Sequence, residues 1–264
     1  MEKEALSQIE DLARKRLFIH RFSSRNYLLR AILASLFIGF GVIVAFKTGN
    51  FFYAEHSAFA YPMAAMTFSV AIILIYYGGG DLFTGDTFYY TYAAIRRKME
   101  WRDVGMLWVY SYVGNLIGAI LFALLINATG LFKDPSVNSF LISVAQGKTE
   151  VSTYELFFRG ILCNWLVCLA FFLPYRAKGD GPKIFIMVFL VFCFFISGYE
   201  HSIANFVTFS ISIATEHPDA VTIDGIIHNI IPVTIGNLIG GTLFMAFMYN
   251  YLNKPFMVKD DEVK

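Results

Sequence analysis

Charge is what this 264-residue chain has least of. Asp, Glu, Lys and Arg make up 16% of it and hydrophobic residues 57%, whereas soluble domains hold roughly 25% charged and 45–50% apolar residues. That scarcity excludes an ordinary soluble fold, which has nowhere to put 28 Phe and 15 Tyr. A net charge of +1 gives no general basic field. The few Lys and Arg sit at segment ends, without the polar and aromatic interleaving of a nucleic-acid groove, so nucleic acid is not an expected partner. Cysteine is also scarce: Cys163, Cys168 and Cys193 lie inside apolar runs without metal-ligand spacing and read as small buried hydrophobes. There is no Walker loop, dinucleotide fingerprint or metal-ligand cluster, and Ser202 beside His201 lacks a readable triad. The reading is therefore of a protein that is not an enzyme, with no cofactor and no metal. Residues 1–28 lack the short apolar core of a signal peptide. Within them Ile9, Leu12, Ala13, Arg16 and Leu17 recur at helical spacing, predicting a cytoplasmic amphipathic helix over residues 1–27.

What the chain does have is apolar runs of about 20 residues, the length a helix needs to cross about 30 Å of hydrocarbon at 1.5 Å per residue. Six spans are predicted, at 28–48, 62–95, 104–128, 152–174, 183–214 and 225–251, forming one transmembrane domain over 28–251 with a cytoplasmic tail at 252–264. The second and fifth are too long for one straight crossing. Each carries a polar interruption, Gly78 to Asp86 in the second and Gly198 to Asn205 in the fifth. Broken helices at matching places in two halves of a chain point to a transport site.

The halves, about 28–128 and 152–251, also match in sequence. Gly114-Asn115-Leu116-Ile117-Gly118 in the third span recurs as Gly236-Asn237-Leu238-Ile239-Gly240 in the sixth. Arg30-Ala31-Ile32-Leu33 matches Arg159-Gly160-Ile161-Leu162, Gly79 aligns with Gly198, and Asp81 with Glu200. Three crossings per half is an odd number, so the second half enters the membrane from the opposite side and the repeat is inverted. Of the 21 Lys and Arg, only Lys47, Lys133, Lys148 and Arg159 fall away from the side holding the termini, and Glu216 to Asp224 carries acids without a base. By the positive-inside rule both termini are cytoplasmic.

The interruptions carry a resemblance. Gly80-Asp81-Leu82-Phe83-Thr84-Gly85 and Ser197-Gly198-Tyr199-Glu200-His201-Ser202-Ile203-Ala204-Asn205 look like the two signature loops of the formate/nitrite transporter family. Cys163 to Ala170 resembles its nitrite-channel branch, and the chain also resembles the hydrosulfide channels. The resemblance implies a homopentamer in a cell membrane, an aquaporin-like protomer, and passage of formate, nitrite or hydrosulfide, the last favoured.

It also implies site residues. His201 lies deep inside an apolar span, where an ionisable side chain faces a cavity or a partner; the family places it mid-pore, with Thr84 opposite. Glu200 resembles the family acid and is expected to brace backbone donors at the break rather than touch an anion. Lys148 matches in spacing a lysine that attracts anions; Lys15 or Arg16 is a candidate for a second such cation. Apolar constrictions fall on Phe68 with Ile72, on Leu82 and Phe83, and on Phe194, and such constrictions gate by dewetting. Asn115, Asn164, Asn205 and Asn237 are candidates for pore lining or interhelical hydrogen bonds, and Asn205 is placed with the anion-binding set. The expected mechanism has the anion pause at Thr84 and His201 and cross either poorly hydrated or, after proton transfer from His201, as the neutral acid. The rivals are a proton-coupled anion symporter and an aquaporin-like neutral-solute channel, although the Asn-Pro-Ala pair of aquaporins is absent.

Overall fold

The computed structural model describes residues 2–132, 134–215 and 221–261, with side chains as far as Lys254 apart from that of Pro135. The readings above on Lys133, on Glu216 and on the tail past residue 261 lie outside the described residues. Every element among the described residues is helical. The order is α1 (Glu2–Phe22), α2 (Ser24–Ala54), α3 (Ala60–Phe68), α4 (Val70–Gly78), α5 (Phe83–Ile95), α6 (Trp101–Ala128), α7 (Pro135–Glu150), α8 (Thr153–Phe172), α9 (Asp180–Ile196), α10 (Ser202–Ala214), α11 (Ile223–Ile239) and α12 (Met248–Asp261). A short 3₁₀ turn, Leu173–Arg176, follows α8, and a π-helical stretch, Gly240–Phe247, joins α11 to α12.

The predicted spans map onto these elements with small shifts. Helices α2, α6, α8 and the run from α11 into α12 are each long and apolar enough to cross a membrane, as is α3 with α4. The second and fifth spans are broken where expected, between α4 and α5 and between α9 and α10. Helix starts are capped by the residues that do this best. The Ser23 hydroxyl accepts from the Asn26 N–H, Thr222 accepts from the Gly225 N–H, and Ser152 forms a reciprocal box with Glu155.

The repeated Gly-Asn-Leu-Ile-Gly segments explain how the long helices pair. Gly114 and Gly118 lie against Ala31 and the Ile32 carbonyl of α2, while Gly236 and Gly240 lie against the Phe157 and Ile161 carbonyls of α8. A Cβ at any of these positions would collide, so the small residues let backbones approach as they do in membrane helix pairs. Helix α1 is amphipathic as predicted, but its apolar stripe of Leu6, Ile9, Ala13 and Leu17 is buried against the protein rather than left for a lipid surface.

The connection between the halves is not a loop. It holds α7, clamped to α2 through Asn50, whose amide donates to the Ser136 carbonyl and accepts from the Ser139 hydroxyl and the Phe140 N–H.

Candidate functional site

The two breaks are built alike, residue for residue. Helix α4 ends on Gly79 at φ +74° and α9 runs out at Gly198, φ +70°, both in the left-handed region that only glycine enters freely. Three non-helical residues follow, the last of them, Leu82 (φ −106°, ψ 120°) and His201 (φ −111°, ψ 112°), extended. The Asp81 N–H bonds the Arg30 carbonyl at 3.1 Å, and the Glu200 N–H bonds the Arg159 carbonyl at 3.3 Å. One asparagine then staples each break. Asn115 accepts from the Phe83 N–H (2.9 Å) and donates to the Ala31 (2.7 Å) and Asp81 (3.0 Å) carbonyls. Asn237 accepts from the Ser202 N–H (2.9 Å) and donates to the Gly160 (2.8 Å) and Glu200 (3.0 Å) carbonyls. Polar backbone at membrane depth survives only where it is satisfied by protein, and these two amides do that.

At the centre the halves meet. Thr84 Oγ1 and His201 Nε2 are 3.0 Å apart, and His201 Nδ1 accepts the Ala204 N–H at 3.0 Å, making His201 the N-cap of α10. The cap fixes the tautomer. With Nδ1 an acceptor, the one proton of a neutral imidazole sits on Nε2 and is donated to Thr84 Oγ1. An imidazolium would need a proton on Nδ1, which is occupied, so the geometry favours a neutral donor over the proton carrier the sequence suggested. Asn164 draws the halves together further, donating to the Thr84 carbonyl (3.1 Å), Thr87 Oγ1 (3.0 Å) and the Asn237 carbonyl (2.6 Å).

Three cavities lie in file past this centre. The first, about 310 Å³, is lined by Lys15, Arg16, Arg30, Asp81, Ile75, Leu82 and Phe171 among others. The second, about 30 Å³, shares Ile75, Leu82 and Phe171 with it and adds Phe68, Ile72, Phe194 and His201. The third, also about 30 Å³, shares Phe68, Phe194 and His201 with the second and adds Tyr61, Lys148 and Asn205. Leu82 thus stands at one junction, and Phe68 and Phe194, in edge contact at 6.1 Å between ring centroids, at the other.

Phe83 does not join them, contrary to the sequence expectation. Its ring packs on Tyr112 at 4.9 Å and lines a separate apolar groove with Trp108 and Ile231. Leu82 is the last extended residue and Phe83 the first helical one, so their side chains leave the chain in different directions. Thr84 is fully buried and lines none of the three cavities; it is reached through His201.

Lys148 and Glu200 are placed together. The Lys148 ammonium lies 2.9 Å from each Glu200 carboxylate oxygen, and the Asn205 amide donates to the same carboxylate at 2.6 Å. Asn205 also donates to Asn229 Oδ1 (2.8 Å), and Asn229 Nδ2 returns to the Lys148 carbonyl (2.9 Å), closing a ring. The expectation that the Glu200 side chain braces backbone donors at the break is corrected, since that work falls to Asn237. The counterpart across the pseudo-twofold is different in charge: Arg16, from α1, pairs with both Asp81 (2.6 Å) and Asp86. Asp86 follows Asp81 by five residues, as Asn205 follows Glu200. Of the two candidate cations, Arg16 is therefore tied down, while Lys15 lines the first cavity exposed.

Residues 3–251 match the family model described as formate/nitrite transporter. The chain belongs to the formate/nitrite transporter family. Among relatives of this family, the Bacillus subtilis (strain 168) uncharacterized transporter YwcJ is 60% identical over 253 residues, covering 96% of this chain and 99% of the relative. The nitrite transporter NirC of Escherichia coli (strain K12) is 36% identical, covering 93% of each. A solved structure described as an FNT family ion channel aligns with a TM-score of 0.89 at 31% identity, over 95% of this chain and 99% of the other. Another, a pentameric formate channel with formate bound, aligns at 0.73 and 26%, over 85% and 95%. The fold is accordingly the all-helical, inverted-repeat fold of formate/nitrite transporters, and the chain is a multi-pass membrane transport protein for small anions whose relatives are transporters and channels, not enzymes.

Asp86, read only as the end of the first interruption, and Asn229 were given no role from the sequence. The matching five-residue offset after Asp81 and Glu200 is a signal that would have found Asp86; Asn229 has none, because it acts from a third helix.

Proposed function

We propose that this chain forms a homopentameric channel with one pore per protomer, passing small monovalent weak-acid anions such as nitrite, formate and hydrosulfide, with both termini cytoplasmic. The single observation that carries the reading is the file of three cavities, joined through Leu82 at one side of His201 and through Phe68 and Phe194 at the other. The pentamer rests on the likeness to the pentameric formate channel, and the orientation on the basic residues near the termini.

The two inner cavities each hold roughly the volume of one water molecule. An ion entering them sheds its shell, and the idealised Born penalty for a bare ion in such surroundings is of order 20 kcal/mol. A solute that exchanges between anion and neutral acid avoids most of that penalty, whereas chloride does not. Lys15 and Lys148 attract the anion at the two ends, the latter weakened by Glu200. His201, held neutral by its cap, leaves the Thr84 hydroxyl proton without an acceptor among the described residues, so a small shift of these two side chains offers a hydrogen bond to the solute.

Flux in proteoliposomes, comparing nitrite, formate, hydrosulfide and chloride, tests this. Weak-acid flux well above chloride flux, rising as pH falls toward the pKa of each acid, is expected. Glycerol or water flux without anion flux would replace the reading with a neutral-solute channel, and turnover at fixed proton stoichiometry would replace it with a symporter.

A further inference from the structure

We propose that the groove beside the N-terminal turns of α2 binds the phosphodiester headgroup of an anionic phospholipid, with Arg30 as counter-ion. The groove is a cavity of about 260 Å³ lined by Asn26, Leu29, Arg30, Leu33, Gly78 and Gly79. It adjoins the first cavity of the file, with which it shares Arg30 and Gly79, and does not touch Thr84 or His201.

The two halves agree here in backbone and differ in one ion pair. In the second half Arg159 faces Glu155, four residues earlier on α8, at 3.6 Å. The alignment that sets Arg159 on Arg30 sets Glu155 on Asn26. A carboxylate in one half is thus a neutral amide in the other, and among the described residues no acid forms an ion pair with Arg30. Asp81, whose N–H bonds the Arg30 carbonyl, has its carboxylate on Arg16 at 2.6 Å. Arg30 Nη1 donates to the Gly79 carbonyl at 3.0 Å, finishing the end of α4, and among the described residues its buried Nε has no hydrogen-bond partner. One of the five donors of the guanidinium fork is used by that cap, and the charge acts on the Asp81 carboxylate without forming an ion pair with it.

Depth and surroundings say what kind of anion fits. At 1.5 Å per residue the 31 residues of α2 extend about 46 Å, against a hydrocarbon core of about 30 Å, so its first turns project into the headgroup layer. Leu29, 63% exposed, lines the groove beside Asn26 and Arg30. A cation and an amide donor beside the exposed Leu29 and the half-buried Leu33 present oxygen-binding groups at headgroup height and an apolar wall for the acyl chain. Guanidinium matches phosphate oxygens in a forked geometry. Because the Arg30 carbonyl and Nη1 both hold the first break, through Asp81 and Gly79, a headgroup on Nη2 ties the bilayer to the backbone of the pore.

Asn26→Glu rebuilds the missing pair while leaving Arg30, its Gly79 bond and the Ser23 cap in place, since the cap uses the Asn26 backbone. Native mass spectrometry of the intact oligomer, titrated separately with phosphatidylglycerol, phosphatidylcholine and inorganic phosphate, reads the outcome. Wild type retains phosphatidylglycerol in preference to phosphatidylcholine. Asn26→Glu weakens that retention about fivefold, the factor that one interfacial basic residue carries, and Arg25→Gln, an exposed neighbour, changes it less. Equal retention by wild type and Asn26→Glu would overturn the site. Equal retention of the two lipids would overturn charge recognition, and displacement of phosphatidylglycerol by millimolar phosphate would replace the lipid with a free anion.

Discussion

Replacing Lys148 with Met keeps the length of the side chain and removes its charge, which leaves Glu200 as a carboxylate only 3% exposed with Asn205 as its remaining side-chain donor among the described residues. Lys148 now lies 2.9 Å from both carboxylate oxygens, and the paired side chains are 17% and 4% exposed. Breaking a buried pair from one side costs about 3–5 kcal/mol, whereas removing both charges is often close to neutral. At about 2–4 °C per kcal/mol for a chain of this order of size, Lys148→Met should lower the thermal midpoint of the detergent-solubilised oligomer by on the order of 10 °C. Adding Glu200→Gln should restore most of that loss. Tryptophan fluorescence during heating measures both variants against wild type. Equal midpoints for the single and double variants would mean that Glu200 does not depend on Lys148, and the closed ring through Asn205 and Asn229 would then carry no electrostatic weight.

His201→Asn keeps an acceptor for the Ala204 N–H and removes the Nε2 donor to Thr84, so nitrite or formate flux should fall on the order of tenfold, about the effect of one lost hydrogen bond, with the pH midpoint unmoved; a displaced midpoint would make His201 a titrating carrier. Asn115→Ala and Asn237→Ala each orphan one N–H and two carbonyls at a break and should each cost about 2–4 kcal/mol, read as similar losses of thermal midpoint. A neutral result at either would deny the equivalence of the two staples. His20 sits between the rings of Tyr27 and Tyr110 with neither nitrogen hydrogen-bonded, and burial lowers its pKa from the ordinary 6.5 against an opposing pull from Asp103. The docked form of α1 therefore binds fewer protons than the released one: docking is full above about pH 6.5 and weakens as pH falls below it. Limited proteolysis of α1 across pH 5–8 should show this, and His20→Phe should abolish it.

The elements legible in the sequence are those in which one residue type decides the local geometry. Gly79 and Gly198 mark the breaks because a left-handed turn needs glycine, and the repeated Gly-Asn-Leu-Ile-Gly marks both the close helix crossings and, in Asn115 and Asn237, the staples. Thr84 and His201 could be paired on the strength of matching loops. What stayed hidden depends on direction or on distance along the chain. Nothing local separates the inward Leu82 from the outward Phe83, which differ only in where the helix begins. Arg16 reaches Asp81 and Asp86 across 65 and 70 positions of sequence, and helix α7 hid inside what composition read as a connection.

The staples and the central hydrogen bond differ in what they require. Each staple is complete within its own half, Asn115 with Ala31, Asp81 and Phe83, and Asn237 with Gly160, Glu200 and Ser202. Thr84 with His201, and Asn164 with Thr84 and Thr87, join residues from opposite halves. During synthesis the first break can therefore be closed while the second half is still in the ribosome, but the centre of the pore exists only after the two halves have met. A chain stalled at the halfway point carries a finished bend, with Thr84 still lacking the imidazole and the amide that hold it in the whole protein.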